Sequence, residues 1–378
     1  MWRAFTVYFS IGVLLLVLGS SLSDYAIRLV VLLETAPLAF FLFESSLKYY
    51  FMGGRNSVSF QSLLIYFSLF LVLTGSVFFA LIETLDLDYT SAVLLFIFFF
   101  VFHCTSFLHG YFLENGVHSG LVVRENVMPW FKIVLLLSAC FLLDYLIFVL
   151  LVLILILVFV ALYLLACARS AGFTIDKKTN IHDELKSITS FGVKSSVGGG
   201  LNQLYHRIWI LLLVDHPTIQ ELLLIYKVIT LSSLITFFRV KQISEKFSTS
   251  ILAGWGVVLK EAFLQLSLAF FVFIGMWYVS HYFNFPAYRG VLESVWLEVP
   301  LILGLFLISP FMSILHFLIQ KKGSGDVLSL WANFIAVISS LVFFYVVDVF
   351  PFYLVLCGEI SAMCFVVIYW FRLYKKII

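Results

Sequence analysis

Residues 126–168 read NVMPWFKIVLLLSACFLLDYLIFVLLVLILILVFVALYLLACA, an apolar run interrupted at Asp144. As one helix, these 43 residues would extend roughly 64 Å, about twice the hydrocarbon thickness of a bilayer. Two helices joined by a tight hairpin near Asp144 fit the same residues. The choice fixes more than local structure, because merging the pair would move every later loop to the opposite side of the membrane.

Outward from this stretch the pattern repeats. Apolar runs fall at about 4–21, 27–49, 60–82, 89–110, 127–143, 145–168, 191–214, 219–238, 256–282, 294–318, 327–347 and 352–371. None alternates with period two, as the strands of a membrane β-barrel would. Twelve transmembrane helices are expected. The first lies behind Arg3 and resembles a secretory signal; with no A-x-A-like cleavage site and another run beginning almost at once, it reads as an uncleaved span.

Composition agrees. Of 378 residues 63% are hydrophobic and 18% aromatic, while only 23 are basic and 21 acidic. A soluble domain of this length needs more polar surface to cover its core. A net charge of +2 without an extended Lys/Arg tract excludes nucleic-acid binding. With both termini inside, 19 of the 23 basic residues mark the cytoplasmic face, among them Lys48, Arg55, Arg124, Lys132, Lys177, Lys178, Lys186, Lys321 and Lys322. Acids such as Glu83, Asp86, Asp88, Asp144 and Asp215 mark the other. Arg207 and Lys227 remain within spans.

The expected fold is therefore all-α and integral to the membrane, about twelve helices in two six-helix lobes: residues 1–168, a cytoplasmic linker at 169–190, and residues 191–378. The linker reads as a solvated helix around Asp183–Lys186 with Asn180 as its cap, or as a regulatory contact for a partner. The five cysteines lie in or at the ends of spans without metal or disulfide spacing. Nucleotide-binding loops, HExxH, GxSxG and acidic metal clusters are absent, so neither an enzyme nor a cofactor is expected. A 6+6 plan with a central cytoplasmic loop is a carrier layout.

The seventh span is the most informative. In FGVKSSVGGGLNQLYHRIWILLLV, residues 191–214, the side chains of Ser195, Ser196, Gly199, Asn202, Gln203, His206 and Arg207 share one arc of roughly 140° at about 100° per residue. Such a polar stripe must face protein or water, because an ionised Arg at span depth costs several kcal/mol against lipid. Lys227 lies just inside the eighth span, as a second cation or a stem reaching the outer interface near Glu221. Arg28 serves an outer head group or pairs with Asp24. In the second span Glu34 and Glu44 flank Pro37, which is expected to kink the helix. Glu44 and Lys48 are four apart and share a face. Glu34, and Glu359 in the last span, are candidates for an ion-coupled carboxylate or for pairing across helices with Arg207. His103, His109 and His316 read as neutral, hydrogen-bonded helix-packing residues.

Phe191, Gly192, Lys194, Ser195, Asn202, Arg207, Glu221 and Tyr226 together resemble the start of the second half of polysaccharide flippases, the lipid-linked oligosaccharide (O-antigen type) exporters of the multidrug/oligosaccharidyl-lipid/polysaccharide exporter superfamily. The match covers about 40 residues; the acid expected near Trp209 is absent and Leu224 stands where Gly is commoner. The resemblance implies a flippase that moves polyprenyl-pyrophosphate-linked oligosaccharide across the bacterial cytoplasmic (inner) membrane by alternating access, for surface polysaccharide assembly. It also implies membrane lipid and a glycan polymerase of the same pathway as partners. Arg207 would then contact the phosphate, with Asn202, Gln203 and His206 adding hydrogen bonds and Lys227 and Arg28 further charge. Glu34, Glu359 and Glu44 would serve ion coupling. The alternatives are a polymerase or other membrane enzyme acting on lipid-linked glycans, which needs a sizeable outer loop, and a small-solute carrier of the major facilitator type, whose G-x-x-x-D-R-x-G-R-R loop is not matched by Gly53-Gly54-Arg55-Asn56-Ser57.

Overall fold

The structure, a computed structural model, describes residues 22–52, 57–176, 181–189 and 325–346, with scattered positions within 12–20, 204–227, 260–282 and 357–368. The expected spans at 4–21, 191–214, 219–238, 256–282, 294–318 and 352–371 lie wholly or largely outside these residues. The chain divides into two compact units, Met1–Ser10 with Leu22–Gln203, and Ile11–Ser21 with Leu204–Ile378.

The first unit is almost entirely helical. Helix α1 runs Asp24–Met52, strand β1 Ser57–Ser59, α2 Phe60–Thr84, α3 Tyr89–Cys104, α4 Ser106–Glu114 and α5 His118–Val122. A π-helical turn at Val123–Val127 leads into α6, Met128–Phe141; a 3₁₀ turn at Leu143–Tyr145 leads into α7, Leu146–Ser170. Strand β2 follows at Thr174–Asp176, then a helix α8 over residues 181–189. Among the described residues three stretches are long and apolar enough to cross a membrane: Phe60–Thr84, Tyr89–Glu114 and Leu143–Ser170.

The deciding stretch is two helices. The chain leaves helical geometry at Leu142, turns through Leu143–Tyr145 around Asp144, and returns in α7, which packs back on α6. In α7 the buried residues Leu146, Leu150, Leu153, Leu157, Leu164 and Ala168 recur at steps of three, four or seven positions. They form the stripe that meets α3. The opposite side of α7, with Phe148, Leu155 and Phe159, is apolar and exposed, as expected of a helix whose solvent is lipid. Helix α3 answers with Ala92, Leu95, Phe98, Phe99 and Phe102, all buried.

Helix α1 carries Pro37 within it as one element; the missing Pro37 N–H leaves the Leu33 carbonyl without its intrahelical donor, and Thr35 Oγ1 donates to the Val31 carbonyl at 2.8 Å. The segment after α7 is no solvated linker. Gly172, at φ +91°, lets the chain close α7 with a Schellman pair, Phe173 N–H to Ala168 O at 3.0 Å and Gly172 N–H to Arg169 O at 3.1 Å. Phe173 then enters the core beside Phe51 and Tyr111. β2 pairs in parallel with β1, in the register Ser57 to Thr174, Val58 to Ile175 and Ser59 to Asp176. Ile188 of α8 is fully buried in the same cluster.

In the second unit α9 spans Gly325–Val346. Its Ala336 and Val337 form a small core with Ala362, against which Leu204, Ile208 and Leu341 pack.

Candidate functional site

Four titratable side chains of the first unit, Arg124, Glu125, Lys132 and His109, gather around one turn. Residues 118–141 are helical without a break, about 36 Å of helix, and the π-helical turn carries Arg124, Glu125 and Asn126 within it. Lys132 stands on α6, a turn beyond Pro129, within the span expected at 127–143. A π turn inserts an extra residue into the helix, rotates the side chains around it, and recurs at functional positions.

Both cations meet the Phe102 ring: Arg124 Cζ lies 5.2 Å and Lys132 Nζ 4.8 Å from its centroid. Phe102 is buried at the end of α3. Arg124 also donates from Nη2 to Ser106 Oγ on the first turn of α4. Across the turn, His109 Nε2 lies 3.3 Å from Glu125 Oε1, both side chains about one-fifth exposed. Asn126 Oδ1 is buried without a hydrogen-bond partner. His103, one residue past Phe102, is buried and stacks on Phe40 of α1, centroids 4.6 Å apart and planes 7° from parallel. Both contacts fit the expectation of packing histidines, His109 through its polar contact with Glu125. In surroundings of low dielectric, two cations at one ring repel each other and favour an anion between or beside them.

The residues singled out from sequence are distributed differently. Arg28 donates from Nη1 to the Leu85 carbonyl at 2.9 Å, closing the α2–α3 turn. Beside it the Tyr25 hydroxyl donates to Asp88 Oδ2 at 2.8 Å, and Asp88 Oδ1 caps α3 through Ser91 N–H, also at 2.8 Å. Burial pushes the Asp88 carboxyl up, but hydrogen bonds from the backbone and side chain of Ser91, from Tyr25 and from the Thr90 backbone outweigh it and hold the group below its ordinary range. Glu34 is half-buried on α1 and has an interaction partner. Glu44 lies on α1, its side chain outside the described residues. In the second unit Arg207 is helical and half-buried, flanking the face on which Leu204 and Ile208 reach the α9 core. Lys227 is buried, at 7% exposure. Glu221 Oε2 is buried without a hydrogen-bond partner, and Gln220 Nε2 donates to the Leu18 and Ser20 carbonyls, each at 2.6 Å. Asn202, Gln203, His206 and Glu359 lie outside the described residues.

The sequence reading missed Arg124, Glu125, Lys132 and His109 as a group. The available signal was the Arg-Glu-Asn triplet six to eight residues before Lys132, with Pro129 between. No family model matches the chain, and neither a curated protein nor a solved structure matches it.

Proposed function

We propose that this chain is a multi-pass flippase of the bacterial cytoplasmic membrane, moving a polyprenyl-pyrophosphate-linked oligosaccharide across the bilayer by alternating access for surface polysaccharide assembly. The observation that carries the reading is the withdrawal of cations from the surface of a chain that is otherwise apolar. Arg124 and Lys132 sit on Phe102 in the first unit, and Arg207 and Lys227 are half-buried or buried in the second. Holding an ionised group at such positions is expensive unless it serves binding or pairing. Within the first unit, a pyrophosphate head is a ligand suited to two neighbouring cations, and guanidinium binds phosphate through two parallel hydrogen bonds. The resemblance of residues 191–228 to polysaccharide flippases adds the oligosaccharide and the lipid tail. In this account the protein binds and changes conformation, and makes or breaks no covalent bond; twelve spans with both termini inside complete the picture.

The reading is tested at Arg124 and Arg207. Alanine at either position abolishes export of the lipid-linked glycan while the protein stays at normal level in the membrane, and lysine restores only part of it, because a single ammonium cannot make the forked contact. Normal export by both alanine variants would refute the role of these cations.

A further inference from the structure

The helix that follows β2 is fastened by a carboxylate. Glu184 of α8 is buried, at 7% exposure. Both of its oxygens accept from the Ser59 backbone N–H, at 3.1 Å each, and Oε1 also accepts from the Tyr50 hydroxyl at 3.1 Å. Ser59 is the N-cap of α2: its side chain accepts from Ser62 N–H at 3.0 Å. In an ordinary capping box a Glu three residues into the helix returns a hydrogen bond to the N–H of the cap residue. The first turn of α2 contains no acid, and Glu184 delivers that carboxylate from 125 positions along the chain. It meets the positive end of the α2 dipole as well as the cap N–H. Three elements therefore share one group: Tyr50 near the end of α1, Ser59 at the start of α2, and α8.

We propose that Glu184 is a latch, a helix cap supplied in trans that holds α8 and the short β1–β2 ladder closed on the end of the first unit. The remaining attachments are modest. The ladder has three residue pairs, and short two-stranded ladders are marginal alone. The apolar anchors are Phe173 before β2 and Ile188 in α8, with Tyr111 Oη donating to the Ala171 carbonyl at 2.8 Å. Without the carboxylate, Ser59 N–H and the Tyr50 hydroxyl are left buried with poorer partners, so α8 opens as a unit while the apolar helices hold. The latch stands whether or not the chain is a flippase.

Hydrogen exchange of the full chain in detergent micelles tests it. In Glu184→Gln, amides of residues 181–189 and of Ser57–Ser59 exchange at least about tenfold faster, the factor expected for one charge-assisted hydrogen bond, while residues 60–84, 89–114 and 146–170 keep their protection. Tyr50→Phe, which retains the ring and removes one donor, gives a smaller increase of about fivefold confined to α8, and keeps the test open if the first variant does not accumulate. Unchanged exchange in α8, or an increase spread evenly over all helices, would overturn the latch.

Discussion

Replacing Gly120 by alanine probes the packing that supports the charged turn. Gly120 lies on α5, and a Cβ there would stand 2.6 Å from Phe112 Cε2 and Cζ and 2.7 Å from Cδ2. Carbon atoms do not approach so closely. The ring cannot swing aside easily, because Phe112 is fully buried in the cluster that includes Phe51, Tyr111 and Phe173. Overpacking of this kind costs about 1–3 kcal/mol, and the better helix propensity of alanine offsets up to about 1 kcal/mol of it. A net loss of about 1–2 kcal/mol lowers the melting temperature of a unit this size by roughly 3–6 °C. Thermal unfolding of the purified protein in detergent, followed by circular dichroism, measures it. Phe112→Leu in the same chain removes part of the ring and recovers part of the loss. A melting temperature equal to or above that of the parent chain would refute the packing argument. Because α5 runs directly into the π-helical turn, the displacement also pulls Arg124 from Ser106, so export falls further than the lost stability alone accounts for.

Other substitutions test separate parts of the account. Gly172→Ala forces a left-handed residue to carry a Cβ at φ +91° and costs about 1 kcal/mol, with faster proteolysis of residues 171–189 as the local readout. Asp88→Ala removes the cap of α3 and costs about 1 kcal/mol at neutral pH. Since the folded Asp88 carboxyl lies below its unfolded value, its contribution is complete above the ordinary carboxylate range and is lost as pH falls through the folded value. The parent and variant melting curves therefore converge in acid; a constant gap down to the lowest pH would contradict this. Phe102→Leu removes the ring that Arg124 and Lys132 share, and export drops by about fivefold or more at unchanged membrane level.

Much of the first unit was legible because lipid imposes a simple rule of length and polarity. The run around Asp144 is too long for one helix, and the turn falls at that residue; α2 and the Tyr89–Glu114 span begin where the apolar runs begin. What the sequence did not reveal was where the charges near Asn126 find their partners. Lys132 and Arg124 lie inside a continuous helical run because Phe102, Ser106 and other helices receive them, and nothing local in sequence states that an aromatic ring thirty residues earlier will be there. Residues 171–189 were misread for the converse reason. The segment is polar on average, and the features that dock it, Phe173, Glu184 and Ile188, are single residues whose partners Phe51, Ser59 and Tyr50 are over a hundred positions away. Three-residue strands carry no readable period. The Arg28 bond to the Leu85 carbonyl was likewise out of reach, because its acceptor is distant in sequence.

The central claim is translocation of a lipid-linked glycan, and the location of that glycan decides it. Deplete the protein in its native cell and assign the leaflet of the completed polyprenyl-linked units with an impermeant sugar-modifying reagent. The account predicts completed, unpolymerised units held on the inner leaflet and protected from the reagent. Units that reach the outer leaflet and are modified there would contradict it and move the protein to a later, polymerising step.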